Sequence, residues 1–146
     1  MPSAKNEVTI ERPVGEVFAF LANGENDTKW RPGVKEIRRE GAGDPGVGTI
    51  YRQTLSGPMG KTIPGDVEIT SLELDRLIAF RVIAGPVRPQ GRYEIEAAGE
   101  GATRVTFSLE AEVTGAMKLM KGKVQKAMDA EVGTLANLKQ VLEAAP

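Results

Sequence analysis

The 146-residue sequence contains no cysteine and no histidine. It therefore cannot form a disulfide bond, and metal sites built on imidazole or thiolate ligands are excluded. Ser-His-Asp and Cys-His catalytic groups are excluded for the same reason. Any general acid or base must be an aspartate, glutamate, lysine or tyrosine. Because no acidic cluster has the spacing of a calcium-binding loop, we expect neither a metal site nor a cofactor.

Neither sign of charge dominates, since 19 basic residues oppose 20 acidic residues and leave a formal net charge of −1. A nucleic-acid-binding protein needs a basic excess to displace counterions from phosphates, so this balance argues against nucleic acid as a partner. No apolar run approaches the roughly 18 residues of a membrane-spanning helix, and the N-terminus lacks the apolar stretch of a signal peptide. We therefore expect a cytoplasmic protein without stable membrane insertion.

The length of the chain is that of one ordinary domain, and no repeat, low-complexity tract or linker divides it. We therefore expect residues 1–146 to form a single domain. A domain of this size buries roughly 68–70% of its unfolded surface, which is enough for a core without disulfide bonds or a structural metal.

The first three quarters of the chain show the two-residue period of strands, interrupted by glycine and proline. The last strand alternates most regularly, with Val105, Phe107 and Leu109 on one face and charged or polar residues on the other. Such alternation is typical of an antiparallel sheet with one buried face. The predicted strands are 6–12, 34–39, 48–56, 62–74, 76–84, 88–97 and 103–113.

Helical periodicity occurs after the first strand and again at the end of the chain. Pro13 favours a helix start because its missing N–H needs no partner there, and residues 23–30 form a second short helix or a turn-rich connection. A long amphipathic helix is predicted over residues 116–144. The apolar positions within roughly 40° of Val124 on its helical wheel are Met117, Met120, Met128, Leu135, Leu138 and Leu142.

Four parts of the sequence carry a resemblance to a known family: Val8-Thr9-Ile10-Glu11-Arg12-Pro13 with Glu16-Val17-Phe18-Ala19-Phe20-Leu21, Trp30-Arg31-Pro32-Gly33-Val34, Gly46-Val47-Gly48-Thr49 and Gly101-Ala102-Thr103-Arg104-Val105-Thr106-Phe107. Together with the order of elements, they resemble the polyketide cyclase/dehydrase and lipid-transport branch of the START-like (SRPBCC) superfamily. The resemblance implies an α+β helix-grip fold, in which a curved antiparallel sheet of about seven strands wraps around a long C-terminal helix. It also implies a cavity between sheet and helix for a lipid, polyketide or isoprenoid-like molecule.

One carboxylate interrupts the apolar face of the C-terminal helix. Glu131 lies roughly 20° from the centre of that face, where an unpaired carboxylate is costly to bury. It is either a polar anchor in the cavity, and then the candidate catalytic residue, or a structural residue. In the structural case it pairs with an Arg or Tyr from the sheet, or reaches solvent where the helix diverges. Arg81 and Arg92 are expected to face solvent.

The other candidates for ligand binding are apolar or amphipathic. Methionines adapt to varied apolar ligands, and the family resemblance favours a place for them in the cavity, although ordinary core packing is more common at helical spacing. Trp30 forms either a cavity wall or a structural plug, while Tyr51 and Gln53 share one strand face that we place inward. The full set of candidates is Trp30, Tyr51, Gln53, Phe80, Tyr93, Phe107, Met117, Met120, Val124, Met128 and Glu131.

Three functions fit these patterns. The first is binding or carriage of a small hydrophobic or amphipathic molecule, favoured because no catalytic apparatus is recognisable. The second is a polyketide cyclase/dehydratase-type enzyme in which Glu131 works with Tyr51 or Tyr93. The third is a regulatory interaction module, and a homodimer through a sheet edge or helix is left open.

Overall fold

A computed structural model describes residues 2–144 of the chain. The helices are α1 (Val14–Ala22), α2 (Lys121–Gly133) and α3 (Leu135–Ala144), with short 3₁₀ helices at Gly24–Lys29, Pro58–Gly60 and Gly115–Met120. The strands are β1 (Ser3–Ile10), β2 (Val34–Arg39), β3 (Ile50–Ser56), β4 (Thr62–Pro64), β5 (Val67–Glu73), β6 (Leu77–Val82), β7 (Gln90–Ala97) and β8 (Thr103–Glu110).

The strands form one antiparallel sheet in the order β1-β8-β7-β6-β5-β3-β2, and the short β4 pairs with β3 beside this path. β1 and β8 pair along their whole length, from Ser3 opposite Glu110 to Ile10 opposite Thr103. Two short helices follow β1, and the C-terminal helices pack against β1 and β8. This arrangement confirms the predicted α+β helix-grip fold.

The core lies between the inner face of the sheet and the C-terminal helices. Val105, Phe107 and Leu109 of β8 are buried, whereas Arg104 and Glu110 are exposed, so the alternation predicted for this strand is confirmed. Burying each large aliphatic side chain contributes roughly 1.5–3 kcal/mol relative to leaving it in water. The leucines that α3 buries in this core are Leu135, Leu138 and Leu142.

The strand predicted at 62–74 was wrong in one respect, because Gly65 and Asp66 divide it into β4 and β5. A Cβ atom on Gly65 would lie 2.6 Å from Leu55 Cδ1, so a larger residue here would force the Leu55 side chain to move. The Asp66 carboxylate then accepts the backbone N–H of Gln53 at 3.1 Å. β4 and β5 consequently pair with opposite ends of β3.

The helix predicted at 116–144 was also wrong in its continuity. Residues Gly115–Met120 form a 3₁₀ helix, and a turn at Thr134 separates α2 from α3. Thr134 Oγ1 donates a hydrogen bond to the Glu131 carbonyl at 2.5 Å, and side-chain bonds of this kind compete with the regular helical pattern. No helix within residues 2–144 combines the length and apolar character needed to cross a membrane.

Candidate functional site

The curved sheet and α2 enclose a cavity of about 520 Å³. Small-molecule sites in proteins commonly measure about 300–1,000 Å³. Its opening is marked by lining residues that are exposed to solvent, including Ser56, Pro64, Pro86 and Lys123. The apolar side chains that the sheet contributes include Ile37, Leu55, Ile63, Val67, Ile69, Ile78, Val82 and Leu109.

Most of the candidate residues from the sequence line this cavity. Tyr51 and Gln53 are buried with their side chains inward, as expected. The other candidates on the lining are Phe80, Tyr93, Phe107, Met117, Met120, Val124, Met128 and Glu131. Their contact with a ligand remains a prediction.

Trp30 lies behind the cavity wall, outside its lining. It is buried, and its indole ring packs edge-on against Tyr93 and Phe107 with centroid distances of 6.1 and 6.5 Å. Its carbonyl accepts a hydrogen bond from Asn137 Nδ2 at 3.1 Å, which ties it to α3. This position corresponds to a structural plug that supports the two aromatic rings of the wall.

The apolar face of the C-terminal helices has two parts with different surroundings. Met117 and Met120 in the 3₁₀ helix and Val124 and Met128 in α2 line the cavity. The three leucines of α3 are instead packed in the core. Glu131, which also lines the cavity, lies between these parts.

Glu131 forms an ion pair with Arg31, which sequence patterns did not identify. Arg31 Nε donates to Glu131 Oε1 at 2.5 Å, and Arg31 Nη1 donates to Asp27 Oδ2 at 2.8 Å and to Gln53 Oε1 at 3.1 Å. We call these four residues the Arg31 cluster. The partner of Glu131 is an arginine, as one alternative held, but it comes from the turn before β2 and not from the sheet.

The two sheet arginines considered as partners face solvent, as expected. Arg81 pairs with Glu68 and Arg92 with Glu94, and the arginine side chains are 58% and 56% exposed. Since both point to the outer face, they contribute nothing to the Arg31 cluster.

Local sequence positions the cluster. Asn23 begins the 3₁₀ helix Gly24–Lys29 by accepting the Glu25 N–H on its side-chain oxygen at 3.1 Å. Asp27 and Arg31 then face the same way because the Arg31 backbone N–H donates to the Asp27 carbonyl at 2.8 Å, which closes one α-helical turn between them. From the sheet, Gln53 joins by donating its Nε2 to the Gly65 carbonyl at 2.8 Å, which leaves its oxygen to accept from Arg31.

Burial raises the pKa of Asp27, although the charge of Arg31 and its hydrogen bond oppose that shift. The Trp30 Nε1 atom is buried without a hydrogen-bond partner among residues 2–144. Burial alone would lower the pKa of Arg31, but the charges of Glu131 and Asp27 outweigh it and the net shift is upward. Arg31 is therefore a permanent cation.

Burial also raises the pKa of Tyr93 well above its usual value, and the charge of Asp27 adds to the shift. Tyr93 therefore carries its proton at neutral pH. Burial raises the pKa of Tyr51 as well, and its hydroxyl donates to the Ala22 carbonyl at 3.3 Å. Neither phenol is suited to act as a base.

Two buried donors of the lining residues, Tyr93 Oη and Arg31 Nη2, make no hydrogen bond within the part of the chain that the structure describes. Neither is sealed inside the protein, so each retains access to the cavity. Within residues 2–144, no group of acidic side chains is arranged to hold a metal ion.

A curved antiparallel sheet wrapped on a C-terminal helix, with a cavity between them, defines a START-like helix-grip protein. The chain belongs to the polyketide cyclase / dehydrase and lipid transport family, whose model matches residues 1–143. A search of curated proteins found no match.

Solved structures share this fold over nearly the whole chain. A Thermus thermophilus protein is 24% identical with a TM-score of 0.81, covering 99% of this chain and 100% of its own. The Zhui aromatase/cyclase from Streptomyces is 14% identical with a TM-score of 0.71, covering 94% and 93%. A START superfamily protein from Mycobacterium smegmatis is 16% identical with a TM-score of 0.67, covering 97% and 94%. At these identities, the likeness shows the fold alone.

Sequence patterns missed the apolar lining residues of the sheet, such as Ile37 and Ile69, and the two charged residues of the inner wall, Asp27 and Arg31. The four-residue spacing of the charged pair in a polar segment was the available signal, and such pairs usually lie on a solvated helix face. Nothing in the local sequence distinguishes that surface position from the buried one observed.

Proposed function

We propose that this protein binds and carries one small hydrophobic or amphipathic molecule in the cavity between the sheet and α2. The observation that carries the proposal is the cavity itself, at about 520 Å³. This pocket is a concavity lined mainly by apolar side chains with a few polar groups, which is the usual form of a small-molecule site.

The composition of the lining supports an amphipathic ligand. Most lining side chains are apolar, and the methionines can adjust to the shape of a bound molecule. The Arg31 cluster adds a single polar region to this apolar surface. A few polar groups in an otherwise apolar site are what orients a small ligand.

The family supports the same class of ligand, since its description covers both lipid transport and polyketide chemistry. Carriage is favoured over a cyclase or dehydratase reaction by the state of the candidate groups. Glu131 is held by Arg31 at 2.5 Å, and burial raises the pKa of Tyr93 so that it keeps its proton. The Glu131 carboxylate is therefore engaged in an ion pair, and Tyr93 is not available as a base.

Titration with N-phenyl-1-naphthylamine, an uncharged apolar fluorescent probe, tests the proposal. The wild type should bind one probe per chain with a blue shift and a saturable increase in fluorescence. The variant Val67→Trp places an indole in the cavity lining and should weaken binding by about tenfold or more, which corresponds to about 1.4 kcal/mol.

Val47→Trp is the matched control, because Val47 is 70% exposed and lies outside the lining. It should bind the probe as the wild type does. Cooperative urea unfolding of both variants would show that each is folded. Absence of saturable binding by the wild type, or undiminished binding by folded Val67→Trp, would contradict the proposal.

A further inference from the structure

Two buried donor groups of the cavity wall have no hydrogen-bond partner in the described part of the chain. Tyr93 is only 6% exposed, yet its hydroxyl is reachable from the cavity and makes no hydrogen bond to residues 2–144. Arg31 uses Nε and Nη1 for its three bonds and leaves Nη2 free. Buried polar groups are normally satisfied, so this pair of donors indicates an oxygen acceptor on the ligand.

The charges around these donors restrict what kind of oxygen acceptor fits. The carboxylates of Asp27 and Glu131 lie at 2.8 and 2.5 Å from the Arg31 guanidinium, so two acidic groups already share one cation. A ligand carboxylate at the same place would be a third. Like charges that share a buried site destabilise one another strongly, whereas a hydroxyl or carbonyl brings no charge.

The other cation on the cavity lining is Lys123, which is exposed at the opening. A ligand carboxylate held there would stay in water and gain little from an exposed ion pair. The hydrocarbon end of that ligand would then lie against the Arg31 cluster. It would remove water from the charged groups there without replacing the hydrogen bonds that the water had made. Lys123 therefore does not reverse the preference set by the inner wall.

We infer that the cavity selects a ligand whose inner end is an uncharged oxygen group, a hydroxyl or a carbonyl, which binds Tyr93 Oη and Arg31 Nη2, and that it discriminates against the corresponding carboxylate. This inference rests on the proposed function and names the chemical class of its ligand. A hydroxyl also has a proton to donate to a carboxylate of the cluster, so alcohols are the simplest test compounds.

The test is displacement of bound N-phenyl-1-naphthylamine by 1-decanol and by decanoate at about pH 7.5, where the acid is ionised. Any apolar cavity would prefer the alcohol to some degree, so the informative quantity is how variants change the ratio of the two affinities. Glu131→Gln removes one of the two acidic groups. It should bring the affinities closer together by about tenfold, equivalent to 1.4 kcal/mol, mainly by improving decanoate.

Tyr93→Phe removes the free hydroxyl and keeps the ring. The affinity of this variant for decanol, divided by its own affinity for the probe, should therefore fall about fivefold relative to the wild type. Thr103→Val is the control, because it removes a buried hydroxyl that bonds the Arg12 carbonyl outside the cavity. Decanol binding to it should be unchanged.

The outcomes separate the inference from the proposed function. If the wild type does not bind the probe, the proposed function fails and the inference fails with it. If the probe binds but the ratio is the same in the wild type and Glu131→Gln, or Tyr93→Phe keeps full decanol affinity, the inference alone is overturned.

Discussion

At the scale of residues, Arg31 holds the inner wall of the cavity together. Its side chain is 13% exposed and is the only cation in direct contact with Asp27 and Glu131 among the ion pairs of residues 2–144. Removing one partner of a buried ion pair leaves uncompensated charge, which is more damaging than removing the pair together. Arg31 therefore affects stability as well as ligand recognition.

We expect Arg31→Met to lower the free energy of unfolding by about 3–5 kcal/mol, because two carboxylates lose their common partner. Urea denaturation followed by circular dichroism measures this change. Arg81→Met is the control, since Arg81 is 58% exposed and pairs with Glu68 on the outer face. It should cost under about 1 kcal/mol, and similar costs for the two variants would show that the Arg31 cluster is energetically a surface site.

Glu131 could be identified from the sequence as a candidate site residue, because a carboxylate among the apolar positions of a helix interrupts the pattern. Arg31 could not, because it lies 100 residues away from Glu131 along the chain. Helical and strand periods report which face a residue shares with its neighbours. They do not report which distant segment that face will meet.

At the scale of elements, the C-terminal helices combine a packed end and a cavity end. Leu138→Ala, in the fully packed end, should lower the free energy of unfolding by about 2–5 kcal/mol. Met128→Ala removes atoms that already border open space, so it should cost less. Urea denaturation of both variants gives the order, and an equal or reversed order would contradict the division at Glu131.

The turn between β4 and β5 supplies a pH-dependent contribution to stability. The hydrogen bond from Arg52, together with that from the Gln53 backbone N–H, lowers the pKa of Asp66. Because the folded-state pKa is depressed, the contribution is fully present above the unfolded-state value and is lost as pH falls through the folded-state value. Arg52 also pairs with Glu40, so Glu40 is the other titratable group to consider here.

Asp66→Asn should therefore destabilise the protein at neutral pH and much less in acid. The measurement is the difference in unfolding free energy between wild type and Asp66→Asn, taken by urea denaturation from neutral pH downward. That difference should shrink below the usual aspartate pKa, near about 3.9. A difference that stays constant with pH would show that the Asp66 contacts are not charge-dependent.

The break between β4 and β5 within residues 62–74 could not be predicted from the sequence. The inward positions Ile63, Val67 and Ile69 keep the two-residue period straight through the break. Gly65 was the one local sign, and an isolated glycine in a strand does not show whether the strand bends, bulges or ends. The turn depends on contacts with Leu55 and Gln53 of another strand, which no local period encodes.

At the scale of the whole molecule, the order and type of elements were predictable because each strand and helix carries its own period. The cavity was not predictable from these periods. The strand period shows that Tyr93 is turned away from water, and the helical period shows the same for Val124. Neither period distinguishes a side chain that meets protein atoms from one that borders open space. The expectation of a cavity came from family resemblance, and the geometry of about 520 Å³ now gives it a definite location.

Binding of a small molecule inside the sheet and against α2 can be observed residue by residue. The measurement is a series of amide ¹H–¹⁵N spectra recorded during titration with N-phenyl-1-naphthylamine. The expected shifts concentrate at lining residues of β3, β7 and α2, such as Tyr51, Tyr93 and Met128, while Arg92 and Arg104 on the outer face stay unchanged. Shifts confined to the outer face, or none at saturating probe, would contradict binding inside the sheet.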